Sequence, residues 1–311
     1  MAWRQVIDAF EVLDSAHVDG EQVAQALHQH GVMDVTVQRI QGEKGHTDFV
    51  RAVIPGSRGQ SAGGDAPTLG VIGRLGGLGA RPERIGFVSD GDGALTAISC
   101  AMKLGLMSHK GDVLPGDVIV ATHICPNAPT QPHDPVPFMG SPVDMAQMNQ
   151  QEVDPRMEAV LSVDTTKGNR IVNVRGFAIS PTVKQGYVLR VSEDLLELMQ
   201  IVTGKLPAVF AITTQDITPY GNGLFHLNSI LQPATATAAP VVGVAITTEV
   251  PVPGSATGAS HLDDVEGAVR FCIEVAKAYG AGGCHFYDEE EYARLRKLYG
   301  DMGRLQTLGR S

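Results

Sequence analysis

The chain is short of positive charge. Its 311 residues hold 24 Lys and Arg against 34 Asp and Glu, a formal net charge of -10 at pH 7. Nucleic acid and anionic bilayers are bound through a basic field, so neither is an expected partner. Long apolar runs are lacking too: none reaches the roughly 18–20 residues of a membrane span. The opening stretch "MAWRQVIDAFEVLD" does not have the basic-then-apolar order of a secretory leader. Cysteine is sparse and dispersed. Cys100, Cys125, Cys272 and Cys284 form no close pair, which suits a reducing compartment better than a disulfide framework. These absences lead to the expectation of a cytoplasmic protein whose partner is a small molecule or a short peptide.

What is present is enough apolar content for a sizeable core, 43% of residues. The length allows one large domain or two small ones. The chain reads as a single α/β domain over 1–311. Its N-terminal helices lie within 1–33, a proline-rich loop or lid spans 126–142, and a C-terminal helix and tail occupy 286–311. "QVIDAFEVLD" and "DGEQVAQALHQHG" have helical patterning, the second with Asp19 as cap and Gly31 as stop. "VTVQRI" and "DFVRAVIPG" are strand-like. They are followed by "TLGVI", "IGFVS", "DVIVAT", "AVLSVD", "GYVLRV", "AVFAITT" and "VVGVAITTE", mostly continuous apolar runs of the kind found in strands covered on both faces. Helices fall between them: "SEDLLELMQIVTG", capped by Ser192 and stopped by Gly204, and "DDVEGAVRFCIEVAKAYG", with Val265, Ala268, Val269, Cys272, Ala276 and Tyr279 on one face. The alternation predicts a mixed, mostly parallel sheet flanked by helices.

Ligands of such sheets bind beyond the carboxyl ends of the strands. Asp90 and Asp92 follow "IGFVS". His123 and Cys125 end "DVIVATHIC", Asp164 ends "AVLSVD", and Asp216 follows "AVFAITTQ". Glu249 follows "VVGVAITT", and His261 precedes the last long helix. Carboxylates crowded at one sheet end repel one another, and burial makes their ionisation costlier; a divalent cation relieves both. Carboxylate with imidazole suits zinc or manganese better than calcium. Each residue alone has a plainer reading, since Asp-Gly is ordinary turn chemistry and a lone Asp at a helix start is often a cap.

The order of the pieces resembles the co-catalytic metallo-exopeptidases, which include zinc aminopeptidases, carboxypeptidases and acyl-amino-acid deacylases. "SDGDGALTA" is similar to their bridging-aspartate motif, "VLSVDTT" to their later aspartate, and "ASHLDDVEGAVRFCIEVAKAY" to their C-terminal histidine and helix. The resemblance implies a three-layer zinc-exopeptidase-like sandwich, with Asp90, Asp164 and His261 as metal ligands. The whole chain also resembles a bacterial and archaeal family of about this length whose function is unknown, through "THICPNAPTQPHDPVPFMGSPVDM" and "TTQDITPYGNG". Two places depart from the exopeptidase pattern. Arg74 and Gly76 stand where His-x-Asp is expected, and "ATHICPN" stands where a glutamate pair would supply the base. A His-x-Asp does occur at His46 to Asp48, but it precedes its strand and falls at the wrong end.

Two functional readings follow. In the first, a metal-dependent hydrolase cleaves a small amide. Asp90, His123, Asp164 and His261 hold zinc or another divalent ion, and Asp92, Glu249 or His123 moves the proton. Arg74, Asp216 and His226 contact substrate, Arg74 by gripping a carboxylate. In the second, the same fold with a degenerate metal site and no ion binds a small acidic ligand or serves as an assembly subunit. His133 and Asp134 sit in the proline-rich segment as lid residues or as part of a surface loop. Cys125, two residues from His123, is a candidate nucleophile. A homo-oligomer is expected by analogy.

Overall fold

A computed structural model describes residues 1–74, 77–79, 86–132, 138–213 and 223–307, the side chains of 130, 131 and 138 excepted. The chain begins with α1 (Trp3–Leu13) and α2 (Gly20–Gln29). The Asp19 carboxylate accepts the Gln22 N–H at 2.9 Å and caps α2 as its spacing predicts. Gly31, at φ 84°, takes the left-handed turn that ends it. A hairpin of β1 (Asp34–Gly42) and β2 (Gly45–Ile54) follows, with Gly45 at φ 124° in the turn. Next come β3 (Leu69–Gly73), α3 (Asp92–His109) and β4 (Val118–Ile124). The two-residue strands β5 (Thr130–Gln131) and β6 (Phe138–Met139) pair with each other; α4 (Met145–Glu152) and β7 (Ala159–Thr165) follow. The chain continues through β8 (Gly176–Ile179), β9 (Val183–Lys184), β10 (Tyr187–Val188) and α5 (Glu193–Thr203). It ends with β11 (Val241–Thr247), α6 (Leu262–Gly280) and α7 (Glu289–Tyr299).

One sheet carries the order β1-β2-β4-β3-β7-β11-β9-β10, with β8 also paired to β11. Its centre, β4, β3, β7 and β11, is parallel. β2 on one side and β8 and β9 on the other run antiparallel to their neighbours. The sequence expectation of a mixed, mostly parallel sheet is met. All residues of β3, β4 and β11 are buried, which is why those segments read as unbroken apolar runs. One face packs against α1, α3, α5 and α6 in the larger core. The other is covered by α4 and a 3-10 turn, Ser229–Thr235, over a smaller cluster with Ile72, Ala121, Phe210 and Leu231. α6 buries Val265, Ala268, Val269, Cys272 and Ala276 on the face its periodicity marks. The two termini of the layer are joined as well: the Ala2 N–H donates to Glu266 Oε1 at 2.9 Å. Among the described residues no helix is long and apolar enough to cross a membrane.

Three expected strands differ. In "IGFVS" the described part, Gly86–Ser89, forms no strand. Its donors are used elsewhere: the Phe87 N–H goes to the Asp14 carboxylate at 2.5 Å and the Val88 N–H to the Leu78 carbonyl at 3.1 Å. Among the described residues of "AVFAITT" only Val209 bridges, to Ile179 at the end of β8. "GYVLRV" pairs only at Tyr187 and Val188 before turning into α5. α4 was not expected from sequence. Its start is a reciprocal cap, Asp144 accepting from the Gln147 backbone and Gln147 accepting from the Asp144 N–H.

Candidate active site

The parallel strands end level with one another. Gly73 of β3 pairs with Thr122 of β4 and with Val163 of β7, so Arg74, His123 and Asp164 follow on three adjacent strands. The Arg74 N–H continues the ladder to the Val163 carbonyl at 2.8 Å. Side chains two residues apart share a sheet face. Ile72 and Ala121 belong to the α4 face, and the Ser162 hydroxyl donates to the Ile230 carbonyl there. Arg74, His123 and Asp164 therefore form a lateral row on that face.

α4 meets this row. Arg74 Nη1 donates to Glu152 Oε2 at 2.5 Å and to Asn149 Oδ1 at 3.2 Å, and Nη2 to Gln232 Oε1 at 3.4 Å. His123 Nδ1 lies 2.8 Å from Glu152 Oε1. All of these side chains are withdrawn from solvent, Glu152 and His123 completely. Burial raises the Glu152 carboxyl, but the Arg74 charge and the His123 hydrogen bond outweigh it, and the group stays below the ordinary glutamate value. His123 Nε2 is buried and has no hydrogen-bond partner among the described residues. The ring packs against Phe49, centroids 5.3 Å apart.

The start of α3 meets the same strand ends from the opposite face. A Cβ at Gly93 would lie 2.2 Å from the Arg74 carbonyl oxygen and 2.8 Å from that of Val163, so only glycine lets the helix approach this closely. Asp92 is fully buried, and neither it nor Asp90 caps α3 through its side chain. Instead the Asp92 carboxylate accepts from the Ser260 hydroxyl and faces Lys167 Nζ at 3.5 Å. Burial pushes the Asp92 carboxyl up to about 7, against the pull of Lys167 and Ser260. Asp90 accepts the Met139 N–H at 3.3 Å, and its own N–H donates to the Gly254 carbonyl at 3.2 Å. The Ser89 hydroxyl also donates to Gly254, and the Thr165 hydroxyl donates to the Ser89 carbonyl. Residues 254–260 thus close over both aspartates, and β7 locks the turn from below.

The other predicted residues scatter. His261 begins α6, is 43% exposed, and lies 3.6 Å from Asp264. Glu249, just past β11, is exposed, as is His226. Asp216, His133, Asp134 and Gly76 lie outside the described residues. Asp48 is structural: Arg39 grips it at 2.6 and 2.8 Å, and the Gly20 N–H adds a third bond at 2.9 Å. Cys125 is buried, with Sγ 3.7 Å from the His46 carbonyl. Among the described residues no three His, Cys, Asp or Glu side chains stand close enough to hold a metal ion. The orphaned His123 Nε2, by contrast, fits an imidazole ligand whose other nitrogen is held by a carboxylate.

Sequence reasoning missed Glu152, Lys167 and Ser260. Lys167 had a signal, three residues past Asp164 in "SVDTTKG", and Ser260 sits beside the candidate His261. Glu152 had none, since "MAQMNQQE" looks like a solvated segment.

A family model described as "Protein of unknown function (DUF1177)" matches residues 38–309. The chain belongs to this family. No protein of curated function matches it. Among solved structures, a glutaminyl cyclase from an Acidobacteriales bacterium is similar, with a TM-score of 0.51 and 13% identity over 91% of this chain and 94% of that one. At that identity the likeness concerns the fold alone: this chain has a mixed-sheet, helix-flanked α/β sandwich similar to that of the cyclase.

Proposed function

We propose that this family member is a metal-dependent hydrolase of small amides, of aminopeptidase or acyl-amino-acid deacylase type, working at the carboxyl ends of β3, β4 and β7. One observation carries the reading. The fully buried Asp92 is held by Lys167 and Ser260 beside the strand ends that bring up Arg74, His123 and Asp164. Burying a carboxylate is costly, and such groups concentrate where a proton is moved. Asp90, His123, Asp164 and His261 offer oxygen and imidazole donors that suit zinc or manganese, and they would have to draw together to hold the ion, because no three such groups stand close enough among the described residues. Such an ion supplies a polarised carbonyl and a water of lowered pKa. Asp92, buried and held by Lys167 and Ser260, would be the group that accepts a proton and gives it back. Arg74 orders the site through Glu152, and residues 254–260 exclude solvent.

The test is elemental mass spectrometry on tag-free protein purified without chelator, beside Asp90→Ala, followed by dipeptide and N-acyl-amino-acid panels. Near-stoichiometric zinc or manganese that is lost in the variant, with turnover on a panel, upholds the reading. Protein that stays empty after incubation with both metals, and is inert on both panels, ends it.

A second reading draws on Arg74 and Lys167. Each meets a buried carboxylate, Glu152 and Asp92, so their charges are offset without an ion. On this reading the sheet end binds a small acidic ligand. Calorimetric binding of N-acetyl amino acids to metal-free protein, without turnover, would favour it.

A further inference from the structure

The geometry points to Glu152 as a positioning residue that fixes which nitrogen of His123 carries the proton. By holding Nδ1, it leaves Nε2 as a buried, bare lone pair, to be met by an electron-pair acceptor: a polarised N–H or O–H of the substrate, or a divalent ion. The inference deepens the proposed function and rests on that reading of this sheet end as the place where ligands bind.

The argument is one of hydrogen-bond arithmetic. Arg74 donates to Glu152 Oε2 at 2.5 Å, which stabilises the charged carboxylate. An ionised carboxylate can only accept. The 2.8 Å contact between Glu152 Oε1 and His123 Nδ1 therefore has Nδ1 as its donor. A neutral imidazole with Nδ1–H has its lone pair on Nε2. A proton on Nε2 would have no acceptor among the described residues, in a side chain with no exposure. Asn149 accepts from the same Nη1 and Gln232 from Nη2, so the guanidinium that holds Glu152 is itself held in place. The arrangement joins α4, β4, the end of β3 and the 3-10 turn through one set of hydrogen bonds.

The experiment is long-range proton–nitrogen NMR on tag-free protein with nitrogen-15 histidine, His123 being assigned by the signals lost in His123→Asn. The wild type is expected to show a pyrrole-type Nδ1 and a pyridine-type Nε2 at pH 7.5. In Glu152→Gln, Arg74 claims the amide oxygen, so the amide NH2 faces Nδ1 and the tautomer reverses. Zinc chloride and, separately, a glycyl dipeptide are then titrated into wild type. A shift of Nε2 with zinc identifies the acceptor as an ion; a shift with dipeptide alone identifies it as substrate. A wild-type Nε2–H, a folded Glu152→Gln protein with an unchanged tautomer, or an Nε2 that neither ligand moves would each overturn the inference. If Glu152→Gln does not fold, the wild-type tautomer and the titrations still decide. No turnover is needed, so an intact tautomer in a protein inert on every panel would sink the hydrolase reading alone.

Discussion

Lys167 Nζ stands 3.5 Å from the Asp92 carboxylate, and the two side chains are 9% and 0% exposed. Neither residue has another opposite charge so near in the described structure. Lys167→Met leaves Asp92 buried beside Asp90 without its cation. Breaking a buried pair costs about 3–5 kcal/mol, and the long separation here places the expectation at about 3 kcal/mol. The loss should be larger at pH 8 than at pH 5, where Asp92 is already protonated. Urea unfolding at the two pH values measures it.

Stability has two opposed pH windows. The folded Asp92 carboxyl titrates at about 7, above its unfolded value of about 3.9. Between those values the native state binds more protons than the unfolded one. Its contribution is therefore fully present below about pH 4 and lost as pH rises through about 7. Asp48 behaves in the opposite way. Burial raises it, but the Arg39 fork and the Gly20 N–H outweigh burial and hold it below the ordinary value. Its contribution is present above about pH 4 and lost as pH falls through the folded value. Asp92→Asn should flatten the stability profile between pH 4 and 7 only, and Asp48→Asn below pH 4 only. Urea midpoints from pH 3 to 8 distinguish the two; a shared change in slope would contradict the assignment.

Two glycines differ sharply in what surrounds them. A Cβ at Gly93 meets backbone atoms of Arg74 and Val163 that cannot step aside, whereas one at Gly258 meets nothing within 4 Å. Gly93→Ala should cost about 1–3 kcal/mol or more through overpacking. Gly258→Ala should stay within about 0.5 kcal/mol of wild type. Thermal unfolding of the pair is the check, and equal effects would mean that α3 does not seat on the strand ends as described.

Ser260→Ala removes a donor to the charged form of Asp92. The carboxyl should then titrate above the wild-type value of about 7. Carbon-13 NMR of labelled aspartate reads this directly, and a downward shift would rule out Ser260 as that donor.

Much of the layer structure was legible because its signals are local. Continuous apolar runs marked β3, β4, β7 and β11, and the caps Asp19 and Ser192 marked α2 and α5. The row of Arg74, His123 and Asp164 was half visible: each was noted at a strand end, but their common level comes from register across three strands, which no local window contains. Glu152 was hidden because its burial is decided by a partner 78 residues away. The departure at "IGFVS" has the same origin. Phe87 and Val88 are buried as expected, but Phe87 finds its hydrogen bond at Asp14, 73 residues upstream.

The bond between the Ala2 N–H and Glu266 gives the chain a clock. The two residues are 264 positions apart, so α1 reaches its final seat only after the chain has been made as far as α6. At about 5–20 residues per second, that interval is on the order of ten to fifty seconds. Throughout it the stripe of Val6, Ala9 and Leu13, wholly buried in the finished fold, lacks α6 as its cover. Until α6 is made, part of that stripe has no partner, and a chaperone that grips short amphipathic helices would find its substrate there.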